Sequence, residues 1–483
     1  MLRDGLYNVS GQAVRGAVGL ITLPFLVRFL GIREYGIWSL AYAVLALFTM
    51  GEAGFSVAAT VFLSKDLASH EPDEAGRTLT FVLAGSIVVS VALGLLLWLF
   101  GALLSRSLIA FEAAERAEAE QALRIAGLAI FFYILQRALV GIEQAFDRYR
   151  VVNTLDVLQS LLSNCGLLAV TMFGGKALAM MKWQAFAWAL LTVAHCWFVF
   201  RLLHERRLGL KWSIGKAAQV LRFSIAAWAS ALGSVAFGQC DRLIVGGILG
   251  APLLGIYSAV TNMTSKINSF SGTAVQPLVP SLSRDVAMKV PFEGRIRQAV
   301  QVNALIAMEA GMILFVLSDW VMRVIVPGSA TPLNILGLQV TAVIYALYSL
   351  NAPGYFILFS MGKAQTNAVI VLLSALISLV LIFVGARNFG LLGALIGNAG
   401  YIGISFMTIL SLRSFGISIR RYVMWIAFPL TGFSIAMVVG LTLGGHLLWR
   451  AAFLVVSGGV ALLWFLRDQV GFTLQKFRWS TVL

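Results

Sequence analysis

Fourteen stretches of about twenty apolar residues follow one another through this chain, near residues 8–30, 36–63, 78–104, 121–142, 151–174, 181–203, 220–248, 253–282, 297–326, 333–360, 365–386, 390–412, 423–445 and 448–466. Each is long enough to cross about 30 Å of hydrocarbon as a helix. A lipid interior offers no water to backbone N–H and C=O groups, so such segments cross it as helices that satisfy those groups internally. The expected fold class is all-α: a polytopic membrane protein of about 14 transmembrane helices. Composition agrees, because 59% hydrophobic residues, 12% charged and a mean hydropathy of +0.89 leave too little polar surface for a water-soluble fold. The opening Met1-Leu2-Arg3-Asp4-Gly5 is shorter than the basic region and cleavable core of a signal peptide, so the first span is expected to be retained.

Orientation follows from sorting the 36 Lys and Arg by loop. With the N-terminus inside, 22 fall on the cytoplasmic side, 10 outside, and four (Arg15, Arg137, Arg242 and Lys266) within spans. Positive residues of short loops stay cytoplasmic, so both termini are expected there. Much of the net charge of +15 lies in those loops, where anionic membrane lipids attract it, and no nucleic-acid partner is expected. Cys165, Cys196 and Cys240 fall inside spans without metal or disulfide spacing, and His70, His195, His204 and His446 form no metal-binding motif. No metal or cofactor is expected. No loop exceeds roughly twenty residues, shorter than the smallest independent domain, so an attached enzyme is not expected.

A gapless echo at an offset of 219 residues organises the spans. Gly31, Gly36-Ile37-Trp38-Ser39 and Ser64-Lys65-Asp66-Leu67-Ala68 recur as Gly250, Gly255-Ile256-Tyr257-Ser258 and Ser283-Arg284-Asp285-Val286-Ala287. A second echo at 214 pairs Asn153 with Asn367 and Ser160 with Ser374. Duplicated bundles are a common build of transporters. The expected division is an N-lobe of six spans over 1–203, a cytoplasmic linker over 204–219, a C-lobe of six spans over 220–415, and two further spans with a tail over 416–483. Six spans separate the copies, so the lobes share one orientation and relate by a pseudo-two-fold along the membrane normal.

Polar residues inside the spans fall on faces. Asn8, Gln12, Arg15, Gly19 and Thr22 stack along the first span, and Asn262, Lys266, Ser269, Thr273 and Gln276 along the eighth, beside a second stripe of Thr261, Ser265 and Asn268. Lipid cannot solvate these groups, so the faces meet protein or water. Packing of helices through small hydroxyl residues explains single Ser and Thr as well. Intramembrane charges cost more, roughly 2.5–3.5 kcal/mol each on insertion scales. Lys266 lies 13 residues, or about 20 Å, from the outer end of its span, too deep for easy snorkelling. Arg15 and Lys266, with Gln12, Asn262, Ser269, Thr273, Arg137 and Arg242, are therefore candidate cavity residues. Asp241 and Arg242 suit an ion pair, and Arg137 and Asp156 suit either a gate or snorkelling. Glu52 and Glu309 lie deeper, where a carboxyl either holds a proton or pairs with a cation. Tyr345, Tyr348 and Tyr355, with Asn351 and Pro353, either face a sugar or serve packing and the interface.

Asn8, Pro24, Leu30-Gly31, Tyr35-Gly36, Gly51 and Gly54, followed by Ser64-Lys65-Asp66, resemble the start of polysaccharide and O-antigen flippases. Gln144-Ala145-Phe146-Asp147-Arg148-Tyr149-Arg150-Val151-Val152-Asn153, and Asp241-Arg242 through Gly250, Gly255 and Tyr257, are similar to that family's other signatures. The resemblance covers residues 5–466. It implies the multidrug/oligosaccharidyl-lipid/polysaccharide exporter superfamily: two six-helix lobes around a central cavity, and coupling to an ion, H+ or Na+. A monomer that is not an enzyme is expected. It further implies that an undecaprenyl-pyrophosphate-linked oligosaccharide moves from the inner to the outer leaflet by alternating access, feeding a polysaccharide polymerase or other assembly proteins. Relatives that flip the peptidoglycan precursor use cavity arginines on their first and eighth spans, where this chain has Arg15 and Lys266. The rest of that arginine set is missing here. An ion-coupled multidrug antiporter of the same superfamily is the alternative, and would carry carboxylates where the first span carries Arg15. A membrane glycosyltransferase would need a large outer loop of clustered polar residues; the run Glu112 to Glu120 is read instead as a solvated collar.

Overall fold

A computed structural model describes residues 21–52, 54–69, 72–106, 111–235, 237–276, 293–361, 363–442 and 447–480. All regular structure among them is helical, and eleven helices are long and apolar enough to cross a bilayer. The chain packs as two units, Met1–Ser258 and Ala259–Leu483, and the division falls inside one helix.

The first unit contains α1 (Ile21–Leu30), α2 (Ile32–Thr49), α3 (Phe55–Ala58), α4 (Ser64–Ala68), α5 (Pro72–Arg106), α6 (Ala113–Ala145), α7 (Tyr149–Met172), α8 (Ala177–Glu205), α9 (Ile214–Val235) and the head of α10 (Phe237–Val275). Helix α6 runs through its middle. Ala119, Ala122, Ala126, Ala129 and Ala138 are fully buried along it, and small side chains let neighbouring helices approach. Gly94 on α5 and Gly127 on α6 face each other so closely that a methyl on either would press on the other's carbonyl oxygen. The opposite face of α5 shows Val88, Leu95, Leu99 and Leu103 outward, as a lipid-facing surface requires.

The acidic run differs from the expected collar: it forms the first turns of α6, eight residues ahead of the predicted start of the fourth span. Glu112 and Glu115 make a reciprocal capping box, and Arg33 reaches Glu115 at 2.7 Å and Glu112 at 3.4 Å, so the charge is neutralised locally.

The second unit contains the rest of α10, then α11 (Glu293–Val316), α12 (Ser318–Ile325), α13 (Pro332–Tyr348), α14 (Ala352–Ser360), α15 (Ala364–Gly397), α16 (Phe406–Ser414), α17 (Ile419–Thr442) and α18 (Leu447–Ser480). Its main core joins α11, α14 and α17 through Val300, Ala304, Met308, Ile357, Ile426 and Phe433. The continuous apolar stretch Gln365–Ser414 holds two of the predicted spans, folded back at Gly390 (φ 62°, ψ −143°). Gly385 packs on Gly393, and Gly400 on Ser378, down that hairpin. At the end of the chain, Arg450 of α18 donates to Asp319 at 2.5 Å and to the Val316 carbonyl at 3.0 Å. Arg450→Ala is expected to leave both groups unmatched, and pulse proteolysis should cleave the last helix several-fold faster than in the parent.

The 219-residue echo has a backbone counterpart. Gly31 (φ 83°, ψ 152°) and Gly250 (φ 80°, ψ 176°) adopt the same left-handed extended turn, which side chains with a Cβ rarely enter.

Candidate functional site

Breaks in α-helical regularity mark the polar interior of both units. In the first, α2 ends in a 3-10 turn at Met50–Glu52, Gly54 sits in the left-handed region (φ 70°), and Ala59–Leu63 is π-helical. Such breaks free backbone groups, which must find other partners. Glu52 answers one of them: its carboxylate accepts the Ser56 N–H at 3.1 Å, and its other oxygen lies 3.8 Å from Arg137 Nε on α6. Tyr42, Glu52, Arg137 and Asp156 all lie within electrostatic reach of the half-buried Tyr133. Two residues named from sequence, Glu52 and Arg137, thus meet.

A polar chain continues from that cluster. Gln136 donates to Gln159 at 3.2 Å, Gln159 donates to Ser163 at 3.2 Å, and Gln184 donates to Ser163 at 3.5 Å. Thr22 on α1 donates to Asn164 at 3.5 Å. The glutamines do not stand out in the sequence analysis, yet α7 carried the signal. Asp156, Gln159, Ser160, Ser163 and Asn164 follow at spacings of 3, 1, 3 and 1, which is one helical face. Arg15 and Gln12, the first-span candidates, lie outside the described residues.

At the head of α10, Asp241 and Arg242 are both buried. The Asp241 carboxylate accepts the Arg242 backbone N–H at 2.8 Å and the Tyr257 hydroxyl at 3.0 Å, while the Arg242 guanidinium donates to Gln239 at 2.8 Å. Both side chains are anchored inside the first unit.

The second unit holds the other candidates. Lys266 is half-buried on α10 and makes no ion pair among the described residues. Asn262 is half-buried one turn before it. Ser269 and Thr273 donate to carbonyls one turn back, at 3.3 and 2.8 Å, so their hydroxyls are satisfied by their own helix. Glu309 on α11 points toward Gly458 of α18 and has no cation paired with it among the described residues. The tyrosine series divides. Tyr348 accepts from Asn268 at 3.3 Å and stacks edge-on with Tyr345, which donates to Asn398 at 3.5 Å. Tyr355 sits apart against Phe359, partly exposed. Two further 3-10 segments, Ser349–Asn351 and Asn398–Ser405, flank the Tyr345–Tyr348 cluster. Among the described residues no group of three His, Cys, Asp or Glu is placed to hold a metal.

The family model described as polysaccharide biosynthesis protein matches residues 1–285, more than half of the chain. The chain belongs to that family. A Shigella flexneri protein described as a candidate O-antigen transporter is 22% identical over 410 residues, covering 82% of this chain and 93% of its own length. The fold of this family member is similar to that of the lipid II flippase MurJ in an inward closed conformation (TM-score 0.77, 15% identity, 96% of this chain and 99% of that one). It is also similar to an inward-facing multidrug resistance MATE transporter of the MOP superfamily (TM-score 0.66, 12% identity, 87% and 95%). The all-helical, multi-pass transporter fold expected from the sequence is therefore the one found.

Proposed function

We propose that this member of the polysaccharide biosynthesis family flips an undecaprenyl-pyrophosphate-linked oligosaccharide from the cytoplasmic to the outer leaflet of the bacterial inner membrane, for assembly of a surface polysaccharide. Lys266 carries the proposal. A half-buried ammonium in a span, without a counter-charge among the described residues, costs several kcal/mol unless an anion or water visits it. A pyrophosphate headgroup supplies that anion, with Lys266 as a point charge and Arg15 as a fork for two phosphate oxygens. The family match and the O-antigen transporter relative favour a glycan on the lipid. The polar interior of the first unit adds groups able to hydrogen-bond sugar hydroxyls. No covalent step is required: the headgroup is carried through a wet path as the protein alternates between inward and outward access, with both termini in the cytoplasm, as a monomer.

The test is export in cells that lack the native protein. Arg15→Ala and Lys266→Ala are each expected to cut surface polysaccharide at least ten-fold while protein abundance stays at the parental level. Parental export by both variants would overturn the proposal.

A further inference from the structure

A cavity of ≈ 200 Å³ lies between the ends of α6, α7 and α8 that face the cytoplasm in the proposed orientation, and the transport path above does not use it. Val151 of α7 with Phe198 and Leu202 of α8 give it apolar walls, and its charged groups are Glu143, Arg148, Arg201 and Glu205. Three of these are engaged. The Glu143 carboxylate is buried and lies 3.0 Å from His195 Nδ1, and Arg201 donates through Nε to Glu205 at 2.8 Å. Arg148, exposed in the turn that leads into α7, has no ion pair among the described residues. The same is true of Arg150 and Arg206, which adjoin the lining residues Val151 and Glu205 in sequence, and of Arg207. Over residues 143–150 and 201–207, five arginines stand against three carboxylates, so the place carries surplus positive charge.

The outward face of α8 leads up to this charge. Phe186, Leu190, Val193, Trp197 and Phe200 are exposed at spacings of 4, 3, 4 and 3, an apolar stripe roughly 21 Å long at 1.5 Å per residue. Such a stripe faces acyl chains, and aromatic residues gather where hydrocarbon gives way to headgroups. Arg201 stands at its end, with its guanidinium 5.9 Å from the centre of the Trp197 ring. The cavity therefore opens at the level of lipid phosphates. Its size selects further, because pockets for drug-sized molecules hold about 300–1,000 Å³. At ≈ 200 Å³ there is room for a phosphodiester and part of a glycerol, and none for an oligosaccharide.

We propose that this cavity binds the headgroup of an anionic phospholipid such as phosphatidylglycerol, whose acyl chains lie along the α8 stripe. Arg148 supplies the unpaired cation for the phosphate. Arg201 adds donors, since a guanidinium has five N–H groups and Glu205 takes only the one on Nε. The head of α7, which starts at Tyr149 beside the cavity, adds the positive end of its helix dipole. A basic pocket between spans on the cytoplasmic side is a place where acidic headgroups are held. A zwitterionic headgroup gains less, because its ammonium would enter a region already rich in arginine. Bound there, the lipid would bridge the head of α7 to the end of α8. The site does not depend on what the protein transports.

The test uses the full-length protein, delipidated in detergent, and phosphatidylglycerol with a diazirine on one acyl chain. Photolabel is expected on the α8 stripe between Phe186 and Phe200, suppressed by excess unlabelled phosphatidylglycerol and little by the same amount of phosphatidylethanolamine. Arg148→Gln/Arg201→Gln should weaken phosphatidylglycerol binding about ten-fold. Arg413→Gln/Arg420→Gln, which removes the same charge from exposed positions of the second unit, should bind like the parent. Arg148→Lys/Arg201→Lys keeps the charge and should recover most of the binding. Where the glutamine pair fails to fold, the position of the label on the parent still decides the site. Millimolar inorganic phosphate or glycerol phosphate is expected to leave the labelling unchanged; displacement by either would reveal a soluble-anion site and overturn the lipid assignment. Labelling spread evenly over the lipid-facing helices, equal suppression by phosphatidylethanolamine, or equal weakening by the control pair would each overturn the proposal.

Discussion

Alanine at Gly36 or at Gly255 is expected to cut export at least ten-fold and to lower the yield of folded protein. These glycines are partners in the 219-residue echo, and so are Ile32 and Ala251. A methyl on Gly36 would overlap the Ala251 carbonyl oxygen, and a methyl on Gly255 would overlap the Ile32 carbonyl oxygen. The contact is therefore reciprocal: each glycine meets the residue four positions before its counterpart in the echo. Both obstacles are backbone, which cannot rotate aside as a side chain does. Overpacking typically costs about 1–3 kcal/mol, and a clash with main chain lies at the upper end. Gly247→Ala is the control, because a Cβ there meets nothing within 4 Å and helix-interior alanine is favoured over glycine. Fluorescence-detected size-exclusion after heating should rank the control with the parent and place Gly36→Ala and Gly255→Ala together below them. Parental behaviour of both variants would mean that the two helices do not approach through these glycines.

That contact also shows what the sequence makes legible. The echo, the turns at Gly31 and Gly250, and the all-helical build are readable because each depends on local pattern: hydropathy over twenty residues and glycine where the backbone turns left-handed. Gly390 is a case in point, since the dip between two apolar runs becomes the hairpin turn. Pairings between distant residues are not legible in the same way. His195 and Glu143 lie 52 residues apart, and only the register of α8 against α6 brings them to 3.0 Å. The Ser269 and Thr273 hydroxyls look like a wet face in the sequence, yet each bonds a carbonyl of its own helix. A hydroxyl has that local option and a lysine does not, which is why Lys266 keeps its significance while its neighbours lose some of theirs. The stripe on α7 from Asp156 to Asn164 was printed in the sequence at helical spacing, but its partners Gln136 and Gln184 become apparent only once α6 and α8 are placed beside it.

Lys216→Met is expected to free the segment between α8 and α9 and to speed tryptic cleavage after Arg206, Arg207 or Lys211 at least ten-fold. This segment, expected from sequence to be the connection between lobes, is strapped to α4 and the head of α5 in its own unit. Lys216 Nζ meets Asp66 at 2.8 Å and Glu74 at 3.3 Å, with the Lys216 and Asp66 side chains 10% and 8% exposed. Asp66 also accepts from the Thr78 hydroxyl at 2.6 Å. Further out, Lys211 pairs with Asp73 at 2.6 Å and its N–H donates to the Gly76 carbonyl at 3.3 Å, but the ion pair is exposed and contributes little. Removing Lys216 leaves the Asp66 carboxylate buried with a hydroxyl and no cation, a loss on the order of 3–5 kcal/mol for a buried pair broken on one side. Asp66→Asn is milder, because Lys216 keeps Glu74. The double variant Lys216→Met/Asp66→Leu removes both charges and should recover much of the protection, since well-packed apolar replacements of buried pairs are often neutral. That recovery separates a strap held by charge from one held by its shape. Cleavage of Lys216→Met at the parental rate would show that the exposed Lys211 pair and the backbone contact hold the segment without the buried one.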